Sequence, residues 1–101
     1  MFNVLIVEDD FNICKLMKIK LMQEGYNCIV AENGYVALEK LSENHVDIAI
    51  VDAMMPKMDG FEFVAEMRAL NYTLPVIMVT AKSSLEDKSR GFMLGVDDYM
   101  V

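Results

Sequence analysis

Apolar positions along the chain follow two alternating rhythms: short unbroken runs, and longer stretches with helical spacing. Residues 2–7 (FNVLIV) form a run of strand length. After Asp10, which suits a helix cap, Ile13, Leu16, Met17 and Leu21 recur at the spacing of one helical face, and Gly25 stops that helix. Residues 26–31 (YNCIVA) predict a second strand, and residues 34–43 a short helix whose face carries Ala37, Leu38 and Leu41. A third strand is read at 46–51, and a third helix from Phe63, Val64, Met67 and Leu70. The fourth strand is PVIMV at 75–79. Residues 84–93 predict a more polar helix with only Leu85, Phe92 and Met93 as apolar anchors. Gly95 ends it, and a fifth strand begins at Asp98. Strands alternating with helices imply a parallel sheet covered on both faces, here a five-stranded, doubly wound α/β domain over residues 1–101.

Composition narrows the function classes. The chain has 101 residues, 54% of them hydrophobic and 25% charged, which is enough for one domain and excludes a disordered chain. No apolar run nears the ~20 residues that cross a bilayer, and the N-terminus lacks a signal-peptide pattern, so a cytoplasmic chain without membrane contact is expected. A net charge of −7 argues against direct binding of nucleic acid, which needs clustered Lys and Arg. Cys14 and Cys28 lack metal-ligand spacing and read as reduced core thiols. His45, in a polar stretch, reads as a surface loop residue.

In a doubly wound sheet, ligands bind beyond the carboxyl ends of the strands, where the strand order reverses. Glu8, Asp9 and Asp10 follow the first strand, Asp52 the third, and Thr80, Ala81 and Lys82 the fourth. Taken singly, each has a plain alternative: an acid after a strand commonly caps a helix or forms a turn, and a threonine commonly ends a strand. Together they define one acidic rim. Two carboxylates ~4 Å apart repel by about 4 kcal/mol at an effective dielectric near 20. Oxygen donors without His or Cys suit a hard divalent cation, Mg²⁺ best. A carboxylate beside that ion can act as nucleophile and form an acyl phosphate. Thr80 then offers a hydroxyl to a phosphoryl oxygen.

The motifs LIVEDD at 5–10, VDAMMPKMDG at 51–60, VTAK at 79–82 and GVDDY at 95–99 resemble those of receiver domains of two-component response regulators. The resemblance covers the whole chain. It implies a flavodoxin-like sheet of order 2-1-3-4-5 and a phosphorylation-activated switch, not an enzyme in the ordinary sense. Asp52 matches the phosphoacceptor. Glu8 and Asp9 match the acidic pair that holds Mg²⁺, Asp9 directly and Glu8 through water, with the Met54 backbone carbonyl as a further ligand. Asp10 is a cap and not a family ligand. Thr80 matches the switch hydroxyl and Tyr99 the aromatic switch residue. Pro56, Asp59 and Gly60 fit the loop after the acceptor, with Asp59 capping the third helix. Met54 and Lys82 occupy the positions that tune dephosphorylation.

The resemblance also implies partners. A sensor histidine kinase donates the phosphoryl group, and DNA is reached through an output domain that this sequence does not encode. The DDY ending and Glu86-Asp87-Lys88 resemble the OmpR/PhoB-like branch, whose receivers dimerise through the helix 4/strand 5 face; Lys88 and Asp98 would pair there. The sequence stops before the family's Lys-Pro pair and fifth helix, so a C-terminally incomplete receiver is expected, with one flank of the sheet uncovered. Two alternatives remain at this point. One is a receiver-like interaction module that is not phosphorylated in this form. The other is an aspartate-nucleophile phosphohydrolase, which commonly has a second Asp where Met54 stands.

Overall fold

A computed structural model describes residues 1–55 and 57–79 in full and the backbone of 98–100. The predicted helix at 84–93 and the side chains of Pro56, Thr80, Lys82 and Tyr99 lie outside the described residues. The elements are β1 (Asn3–Val7), α1 (Phe11–Gln23), β2 (Asn27–Ala31), α2 (Gly34–Glu43), β3 (Ile48–Asp52), α3 (Gly60–Ala69), β4 (Val76–Val79) and β5 (Asp98–Met100). All five strands are parallel, in the order β2-β1-β3-β4-β5. The chain leaves β1 for β2 on one side and returns to β3 on the other, so the order reverses between β1 and β3. A crevice opens there.

Local chemistry explains the helix boundaries. The Asp10 carboxylate accepts from the N–H groups of Asn12 (2.9 Å) and Ile13 (3.2 Å), the cap read from sequence. At the far end Gly25 takes φ +90°, its N–H donates to the Met22 carbonyl, and that of Tyr26 donates to the Leu21 carbonyl. That pair of bonds closes α1 with a left-handed residue that only glycine adopts freely. α3 ends the same way around Asn71 (φ 68°), with Tyr72 N–H donating to the Met67 carbonyl.

The two faces of the sheet differ. Leu5, Val7, Ala49, Val51, Val76 and Met78 lie in one buried cluster with Ala37 and Leu41 of α2 and Phe61, Phe63, Val64 and Met67 of α3. On the other face Val4 and Ile6 of β1 are also buried, whereas Ile48, Ile50, Ile77 and Val79 towards the β3–β4 side are only half-buried. α1 lies on that face and buries no residue fully. The buried stripe of α1 differs from the one that its periodicity predicts. Met17 and Leu21 face the sheet, but Leu16 is 69% exposed and Ile13 46%. The narrow seam runs through Cys14, Met17 and Leu21, spaced three and four residues apart along one line of the helix. Cys14 and Cys28 are free thiols, half-buried along that seam and not in the core proper.

Candidate functional site

β3 carries Asp52 to the carboxyl edge of the sheet, level with Val79 at the end of β4. β1 delivers Glu8 and Asp9 to the same edge, and Glu8 N–H donates to the Ala31 carbonyl of β2 at 3.0 Å. Glu8, Asp9 and Asp52 each place a carboxylate oxygen within 4.8 Å of the others. They line one open cleft of about 380 Å³, together with Asp10, Ile13, Met54 and Val79. Ile13 and Val79 give it an apolar wall that the motif reading did not include.

Its electrostatics follow from that crowding. Burial, then a hydrogen bond with Asp52, raises the Glu8 carboxyl to a pKa of about 8. Asp52 is also pushed above the ordinary carboxylate value, first by burial, although its hydrogen bond from Met54 N–H opposes the rise. That bond is 3.0 Å to Oδ1, and Asp10 N–H donates to Glu8 Oε2 at 3.2 Å. Both shifts act in the same direction and favour a proton kept between the two carboxyls, with Glu8 as the donor to Asp52, when no cation is bound. A site that retains a proton to relieve like charge is chemically suited to a hard divalent cation in its place. The all-oxygen donor set fits Mg²⁺.

The loop after Asp52 is held by backbone. A Cβ on Gly60 would overlap the Asp52 carbonyl oxygen and lie 2.8 Å from Ala53 Cα. Gly60 N–H donates to the Ala53 carbonyl at 3.3 Å, so the first turn of α3 sits directly on the strand end that bears Asp52. Asp59 caps α3 as read from sequence. Its Oδ1 accepts from Glu62 N–H (2.8 Å), and its own N–H donates to the Glu62 carboxylate (3.4 Å). Lys57 takes φ 65°, a left-handed conformation that nothing in its side chain announces.

Residues 4–101 match the family model described as the response regulator receiver domain. The chain belongs to the response regulator receiver family. It is 42% identical over 100 residues to the heme response regulator HssR of Staphylococcus epidermidis, covering 99% of this chain and 44% of that protein. To the alkaline phosphatase synthesis transcriptional regulatory protein PhoP of Bacillus subtilis it is 38% identical over 97 residues, 96% of this chain and 40% of that one. The receiver chain thus spans less than half the length of these curated relatives. Its fold superposes on chemotaxis protein CheY4 of Vibrio cholerae with a TM-score of 0.96 at 34% identity, over 100% of this chain and 86% of that one. It also superposes on the response regulator TrrA of Thermotoga maritima, solved in complex with Mg²⁺-BeF, with a TM-score of 0.89 at 35% identity, over 100% of this chain and 86% of that one.

The structure brings Glu8, Asp9, Asp52 and Met54 into one receiver cleft. Thr80 and the Tyr99 side chain fall outside the described residues, although β5, to which Tyr99 belongs, pairs with β4 as expected. His45 is exposed at the opposite end of β3, bonded to Asp47 at 2.9 Å, and takes no part. Among the described residues, no helix is long and apolar enough to cross a membrane.

Proposed function

We propose that Asp52 accepts a phosphoryl group from a sensor histidine kinase, and that the resulting acyl phosphate shifts the helix 4/strand 5 face to control an output. One observation carries this: the cleft at the strand-order reversal gathers Glu8, Asp9 and Asp52 from distant parts of the sequence around a single open cavity. Glu8, Asp9, Asp52 and the Met54 backbone carbonyl would hold Mg²⁺, which when bound supplies charge neutralisation to the transferring phosphoryl group.

The chain's own residues do the rest. Met54 N–H fixes one Asp52 oxygen, leaving the other to attack phosphorus as the bond from phosphorus to the donor's imidazole nitrogen breaks. Loss of the proton shared between Glu8 and Asp52 restores both anions before transfer. Thr80 donates to the new phosphoryl oxygens, and Tyr99 follows it inward. Phosphorylation adds roughly −1.5 to −2 charge and three acceptor oxygens, enough to redirect such donors. The setting is cytoplasmic, and DNA is contacted by an output domain of the kind that a transcriptional regulatory protein such as PhoP implies. Dimerisation through the helix 4/strand 5 face would present that domain in pairs.

A phosphohydrolase reading is disfavoured because Met54 stands where such an enzyme has its acid. The test is intact mass after incubation with acetyl phosphate and Mg²⁺. Gain of one phosphoryl group by the chain, and none by Asp52→Asn, supports the reading. A phosphorylated Asp52→Asn would exclude Asp52 as acceptor.

A further inference from the structure

β2 is the outer strand of the sheet, bonded to β1 on one side only. Asn27 N–H donates to the Phe2 carbonyl, and the Ala31 carbonyl accepts from Glu8 N–H. With the parallel register, these bonds turn the backbone groups of Asn27, Ile29 and Ala31 toward β1. The N–H and C=O of Cys28 and Val30 therefore point to the open edge. Among the described residues neither backbone has a partner there. Edges of this kind are ordinarily guarded by a lysine, a proline or a bulge. The strand reads NCIVA, and its register with β1 is unbroken, so it has none of these.

We propose that this edge docks the β2 strand of a second copy, antiparallel, about a twofold axis through Ile29. Hydrogen-bonded and non-hydrogen-bonded residue pairs alternate along an antiparallel seam. With the axis at Ile29, the central Ile29 pair is of the non-bonded kind, as it must be, since its backbone is already committed to β1. The two flanking pairs join Cys28 of one copy to Val30 of the other, and each exchanges both of its bonds. Every free group on the edge is then used. A slip by one residue sets free groups against committed ones.

The second copy is the occupant that the charge pattern admits. At net −7, two copies repel over most of their surface, but β2 carries no charge. Its nearest carboxylates, Glu24 and Glu32, lie beyond its ends, and the antiparallel register sets Glu32 beside Tyr26 of the second copy instead of another acid. Val30 is 38% exposed, and the Phe2–Tyr26 ring pair, centroids 5.6 Å apart, extends the apolar surface at the start of the strand.

Sedimentation of the chain at rising concentration tests this, with circular dichroism as the check on folding. The weight-average mass should climb from one copy toward two, and more readily in added salt, which screens the repulsion. Val30→Pro removes an outward N–H and leaves the β1 ladder intact, so it should hold the chain at monomer mass. Val30→Lys sets like charges across the seam and should do the same; it carries the reading if the proline variant loses structure. In a Cys14→Ser, Cys28→Ser background, Ile29→Cys meets itself at the axis. Oxidised glutathione should then convert two thiols to one intermolecular disulfide, itself reduced to two glutathione molecules. A chain that stays monomeric at every concentration overturns the proposal. So does a dimer indifferent to both Val30 substitutions, or one in which Ile29→Cys fails to cross-link.

Discussion

Glu8 shows at the residue scale how position overrides chemistry. A glutamate ordinarily ionises near 4.5, but burial and the neighbouring Asp52 raise it to about 8. Below pH 4.5 both folded and unfolded chains carry this proton, and above pH 8 neither does; between them only the folded chain does. Stability in the absence of divalent cations should therefore fall as pH rises through that window. Thermal unfolding followed across it checks this, and Glu8→Gln, which cannot ionise, should lose the slope. Binding of Mg²⁺ should release a proton below pH 8, measurable as a buffer-dependent heat in calorimetry. The carboxylates themselves were legible in sequence, because Glu8, Asp9 and Asp52 together end two apolar runs whose carboxyl ends meet at one rim of a doubly wound sheet. Their proton sharing was not, since it depends on Glu8 and Asp52 meeting across β1 and β3.

Boundaries at the element scale were set by local signals, and their packing was not. Asp10, Gly25 and Asp59 each mark a helix end by backbone chemistry that needs nothing from the rest of the chain. Asp59→Ala should cost about 1 kcal/mol by urea unfolding, the usual worth of such a cap. Gly60 is a different case. In sequence it is one more loop glycine, but its Cα rests on the backbone of Asp52 and Ala53. Gly60→Ala should cost about 1–3 kcal/mol, the range for overpacking, and should also slow phosphoryl uptake by moving the acceptor. For α1, periodicity correctly gave a helix but placed its buried stripe too far round, since Leu16 faces outward. Leu16→Lys should accordingly change stability by no more than about 0.5 kcal/mol, as at other exposed sites.

The whole molecule turns on strand order. With β1 and β3 adjacent and β2 turned outward, Glu8, Asp9 and Asp52 share one cleft, and the cation-binding reading follows from that adjacency. A cation that binds only the folded chain should raise the unfolding free energy with concentration, by about 2.7 kcal/mol at a hundred times its Kd, and the unfolding midpoint should climb with it. Asp52→Asn should weaken that dependence while raising stability in the cation's absence, because it removes one of the crowded charges. Sequence alone determined the alternation of strands and helices, the helix caps and the acidic strand ends. These depend on residues a few positions apart, whose spacing and hydrogen-bonding groups act locally. Tertiary structure decided the rest: the proton held between Glu8 and Asp52, the close approach at Gly60, the thin cover that α1 gives its face of the sheet and the open edge of β2. Each depends on which strands become neighbours, and that is set by the burial of one sheet face against α2 and α3, over distances no local pattern spans.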